Sequence, residues 1–78
     1  MLTEAQQTSV REICQKQKVG MVNFLPDGRA HFQAFHPIKE LVEKTFPAFR
    51  IVDHGITSWE SRPDEMKQGF WVIAELDN

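Results

Sequence analysis

A single cysteine, Cys14, is all the thiol chemistry in the sequence. An intrachain disulfide is therefore excluded, and with it the usual reinforcement of a small secreted chain, so a reducing compartment, the cytoplasm, is the expected location. No apolar run reaches the roughly 18 residues needed to cross a bilayer. The start Met-Leu-Thr-Glu-Ala-Gln-Gln also lacks the basic and then apolar segments of a signal peptide. Neither membrane spanning nor secretion is expected, and the chain reads as soluble. Runs of one charge are missing too: the nine Lys and Arg are spread from Arg11 to Lys67 and the formal charge is -2. Nucleic acid, held chiefly through its phosphates, is not announced by such a pattern. The small acidic excess after Glu60, with Asp64, Glu65, Glu75 and Asp77, reads as a solvated loop and tail.

Signatures of catalysis are absent as well. His31, His36, His54 and Cys14 are zinc-type donors, but no short-range pair such as Cys-x-x-Cys gathers them, and Cys14 falls on the apolar side of a helix as a small buried hydrophobe. Cys14 or Ser58 with His54 and Asp53 would supply a nucleophile and base, yet Asp53 and His54 are strand neighbours that point to opposite faces. No nucleophile elbow, His-Glu-x-x-His or phosphate-cradling glycine loop occurs. Gly20, Gly28, Gly55 and Gly69 all read as turns or strand ends. The expectation is a chain that is not an enzyme and takes no cofactor or metal.

What is present is the composition of a folded globule: 41 % hydrophobic and 26 % charged residues, with six Phe and two Trp. Its 78 residues suffice for one core, so residues 1–78 are expected to form a single α+β domain of marginal stability. Opening on methionine and carrying no tag, the chain reads as a complete small reading frame.

Thr3 and Gln6 have the spacing of a capping box, which predicts a helix over residues 4–18 with a thin apolar stripe of Val10, Ile13 and Cys14. Val19 to Leu25 and Arg29 to Phe35 read as strands joined by a hairpin turn at Pro26-Asp27-Gly28. Pro37 suits a first helical position, and Ile38, Leu41, Val42, Thr45 and Phe46 recur at helical spacing, predicting a second helix over 37–46 that Pro47 stops. Phe49 to Glu60 reads as extended, with Asp53-His54-Gly55 as either a bulge or a turn. A helical turn between Pro63 and Gly69 and a final strand, Phe70 to Leu76, complete the chain.

The order helix-strand-strand-helix-strand-strand implies a two-layer sandwich, both helices on one face of a roughly four-stranded, mostly antiparallel sheet. The same order arises when the first strand of a ferredoxin-like unit is moved to its C-terminus. Phe32, Ile38, Leu41, Val42, Phe46, Ile51 and Val72 are expected to be the most buried residues.

The more informative surface is the other side of that sheet. With Val22, Phe24, Ala30, Phe32, Phe49, Ile51, Phe70, Val72, Ala74 and Leu76 facing the helices, Met21, Leu25, Phe35, Val52, Trp71 and Ile73 are left on the face no helix covers. They are interspersed with His31, Gln33, Arg50 and Glu75, a mixture that resembles an interface unless the sheet curls over part of it. The expected site is a protein-binding face with Trp71 as anchor, Phe35, Met21 and Ile73 beside it and Arg50 at the rim. The occupant is another protein, the chain acting as inhibitor, adaptor or regulator, or a second copy in a homodimer. A nucleic-acid-binding regulator is the alternative, against which stand the charge and the lack of an RNA-stacking motif. A small enzyme or enzyme subunit with an unrecognised site is a further alternative.

Overall fold

The computed structural model describes residues 2–76; Asp77, the last carboxylate of the acidic tail, lies outside them. In chain order the elements are α1 (Glu4–Lys16), β1 (Met21–Phe24), β2 (Ala30–Ala34), α2 (Lys39–Thr45), β3 (Phe49–Ser58) and β4 (Gln68–Leu76), with a 3-10 turn at Asp64–Met66 before β4. The four strands form one antiparallel sheet in the order β1-β2-β4-β3. This is the strand order of a ferredoxin-like unit with its first strand moved to the end.

The capping box forms in full: the Gln6 backbone N–H donates to Thr3 Oγ1 at 3.2 Å and the Thr3 N–H to Gln6 Oε1 at 2.9 Å. α1 ends two residues earlier than its periodicity predicts because the chain turns left-handed at Lys18, with φ of 56°. The Val19 N–H then donates to the Cys14 carbonyl at 2.9 Å, the outer bond of a Schellman cap, and buries Val19 against Cys14. The stripe is thinner than expected, since Ile13 is exposed and only Val10 and Cys14 are buried.

α2 is also shorter than its apolar spacing implies. Ile38 is its N-cap, with a non-helical φ of -126°, so Pro37 lies outside the helix and not at its first position. Two turns of helix have little intrinsic stability, so α2 is held by packing: Ile38 and Val42 are fully buried. The hairpin turns where expected. Gly28 has φ of 91°, and the Arg29 N–H donates to Asp27 Oδ1 at 3.0 Å. That backbone bond, and then the Arg29 guanidinium, holds the Asp27 carboxyl below its ordinary value.

Phe32 sits at the centre of the core, its ring 5.4 Å from Phe46 and 6.2 Å from Phe49. Val72 and Ala74 of β4 and Ala30 of β2 complete the floor on which both helices rest. Leu41 and Ile51 were expected in the most buried set but are only half-buried. Leu41 sits on α2 and Ile51 on β3, and they give way to Val10, Cys14 and Val19, which α1 and its cap bring in.

The long extended segment is one continuous strand carrying a β-bulge. Ile51 pairs with Ala74 and Asp53 with Ile73, leaving Val52 unopposed. Because side chains alternate, this one extra residue reverses everything after it: Asp53, Gly55 and Thr57 join Ile73, Trp71 and Gly69 on the helix-free face.

Candidate functional site

The helix-free face is assembled row by row from the strand register. One row runs Met21, Gln33, Trp71, Gly55 and the next Asn23, His31, Ile73, Asp53. Of the residues expected to bind protein, Trp71 and Ile73 therefore lie on β4 and Met21 on β1, with β2 between them, and Phe35 follows β2 directly. Met21 is 66 % exposed and Phe35 44 %, an unusual exposure for large apolar side chains that share one surface.

Both tryptophans rest against the sheet at places where a glycine leaves room for them. A Cβ on Gly55 would fall 2.6 Å from Trp71 Cζ2, and one on Gly69 2.5 Å from Trp59 Cη2. Gly55 is thus neither a turn nor a strand end but stands inside β3, while Gly69 does lie at a strand end, the start of β4. The missing side chains of both are the seats of the two indoles.

Trp59 reaches its seat because the β3–β4 ladder continues past Ser58: the Trp59 N–H donates to the Lys67 carbonyl at 2.7 Å. The connecting loop then folds back, and the Arg62 guanidinium stacks 4.6 Å above the Trp59 ring. Phe35 meets Trp59 edge-on at 6.3 Å, and His31 meets Trp71 edge-on at 6.2 Å. The sheet's connection closes over one end of the face and leaves the rest open.

Between the two aromatic pairs runs a groove of about 790 Å³, within the size range of ligand pockets. Trp71, Phe35, Met21 and Ile73 all line it, together with Trp59 and Arg62. Arg50 is not among the lining residues. It stands farther along the face, opposite Glu75, with which it forms an ion pair. Leu25 and Val52 do not line the groove either, Leu25 because it belongs to the hairpin turn and Val52 because it is the bulged residue.

The polar groups of the groove are mostly donors. The Gln33 side-chain amide donates to His31 Nδ1 at 3.3 Å, which leaves the neutral imidazole's proton on Nε2. His36 Nε2 donates to the Lys18 carbonyl at 2.9 Å, bracing the left-handed end of α1 against the groove's side. No Asp or Glu lines the groove among the described residues.

The remaining chemistry is dispersed. Cys14 is 1 % exposed in the core, and burial pushes its thiol up to about 11. His31 stands on β2 and His54 on β3, and among the described residues no three His, Cys, Asp or Glu gather as a metal site. No helix among them is long and apolar enough to cross a membrane.

Sequence reasoning found Trp71 and its neighbours through strand alternation but missed Trp59, Arg62 and the role of the glycines. The usable signal was Gly55, a glycine in the middle of an extended run in a chain with two tryptophans. Comparison with known protein families, curated proteins and solved structures finds no match to this chain.

Proposed function

We propose that this chain is a non-catalytic binding protein that takes an apolar segment of another protein into the groove on its helix-free sheet face. The observation that carries the reading is the seating of Trp59 and Trp71 on Gly69 and Gly55, which spreads two large rings along one open surface. Rings already held in place lose little freedom when a partner covers them, so they favour association at small entropic cost. Interface cores are rich in tryptophan, methionine and arginine, and the groove carries all three. An inhibitor, an adaptor and a regulator would each use such a surface, in the cytoplasm or elsewhere. A homodimer through the same face is the competing occupant.

The test compares wild-type protein with Trp71→Ala and Phe35→Ala in affinity capture from the native host, with light scattering of each pure protein alongside. Both variants should keep the wild-type circular dichroism and lose the captured partner, by about 2 kcal/mol or more for Trp71→Ala. A monomer whose capture is the same in all three forms refutes the reading, and so does binding to nucleic acid that falls steeply with salt. Dimerisation abolished by Trp71→Ala makes the second copy the occupant.

A further inference from the structure

We infer that the segment taken by the groove presents a carboxylate beside an apolar side chain, and that Arg62 receives this carboxylate. The inference rests on the proposed function above and concerns the partner chosen by that same surface.

Charge complementarity carries it. Arg62 is the one lysine or arginine lining the groove, and among the described residues it forms no ion pair. The other arginines of the sheet and hairpin are engaged: Arg29 with Asp27 at 2.7 Å, and Arg50 with Glu75. Within the loop, Asp64 is held by Lys67 at 2.9 Å. The Arg62 Cζ lies 4.6 Å above the Trp59 ring, and among the described residues no side-chain hydrogen bond or ion pair takes up its fork of N–H donors, which is matched to a carboxylate. Among the described residues the groove has no carboxylate of its own to fill that fork.

The second donor lies across the groove. His31 accepts from Gln33 at Nδ1, so its Nε2–H remains to donate beside Trp71. An occupant rich in acceptors satisfies both ends, and its apolar side chain covers the indoles between them. A basic segment would instead meet Arg62 with like charge and find no acceptor carboxylate among the lining residues.

The probes are two peptides that differ in one group, acetyl-Gly-Leu-Asp-Phe-Gly-amide and the same sequence with Asn for Asp. Binding to the full chain is followed through the indole N–H resonances of Trp59 and Trp71. The Asp peptide should bind roughly five- to tenfold more tightly than the Asn peptide. That preference, read as the ratio of the two affinities within each protein, should vanish in Arg62→Gln and be partly retained in Arg62→Lys. Equal binding of both peptides to wild type, or a preference that survives Arg62→Gln, overturns the carboxylate inference and leaves the groove reading standing. If neither peptide moves either indole, the groove reading fails with it, and light scattering then shows whether a second copy covers the face.

Discussion

Replacing Gly55 with alanine should displace Trp71 without unfolding the protein, because the new methyl group meets a side chain and not the backbone. Its Cβ would sit 2.6 Å from Trp71 Cζ2 and 2.8 Å from Cε2, where carbon atoms in good contact stand about 3.5–4.0 Å apart. The indole must therefore lift by roughly 1 Å. It is half-buried and points away from the helices, so the movement does not reach Phe32 or the rest of the core. Two energetic effects oppose each other. Alanine restricts the unfolded chain and favours the fold by about 0.4–1 kcal/mol, since Gly55 does not hold a positive φ. The lifted ring loses some contacts with the strand below, each of about 0.1–0.2 kcal/mol. The net change in unfolding free energy should stay within about 1 kcal/mol. Urea denaturation measures that quantity, and the indole N–H signals, of which the chain has two, report where the rings go. The Trp71 signal should shift strongly and that of Trp59 little, with partner affinity falling. Unmoved Trp71 together with wild-type affinity refutes the idea that the glycine seats the ring. A loss above about 2 kcal/mol refutes the claim that the ring lies outside the core.

Two further outcomes follow from the ends of α1. Lys18→Gly should stabilise the protein by about 1 kcal/mol, measured in urea, because a left-handed conformation strains lysine and not glycine; a neutral or destabilising result would mean that the Lys18 side chain contributes packing of its own. Burial raises the Cys14 thiol from its ordinary 9.0 to about 11, so the folded chain holds this proton more tightly than the unfolded one. Stability should be unaffected by the thiol below pH 9, fall as pH rises from about 9 to 11, by up to roughly 3 kcal/mol, and level off above. Thermal midpoints of wild type and Cys14→Ala across that range check this, and equal slopes would contradict it. The Lys39 ammonium, raised by its contact with Glu43, releases its proton above its ordinary 10.5 in both proteins and cancels in the comparison.

The order of elements, the capping box, the hairpin at Asp27-Gly28 and the two faces of the sheet were legible because each rests on residues near one another in the chain. Alternation through β4 alone separates Trp71 and Ile73 from Val72 and Ala74, whatever the strand pairs with. Helix ends were less legible. α2 starts after Pro37 because Ile38 is drawn into the core, and α1 stops where Val19 is buried, and burial of both depends on elements far away in sequence.

The groove belongs to the tertiary structure. Its tryptophans can be counted in the sequence, but their positions depend on which strands are neighbours, and strand order is set by long-range pairing that no local pattern encodes. The bulge at Val52 decides that Gly55 lies under Trp71, since unbroken pairing of the same residues would set His54 opposite Trp71 and turn Gly55 toward the helices. The β3–β4 ladder decides that Trp59 comes to rest on Gly69 and carries Arg62 with it. The sequence by itself therefore determined an α+β sandwich with an apolar face left uncovered. Pairing across the sheet decided that this face is a groove with two seated rings and a guanidinium that forms no ion pair among the described residues, because register is a property of two strands together and belongs to neither alone.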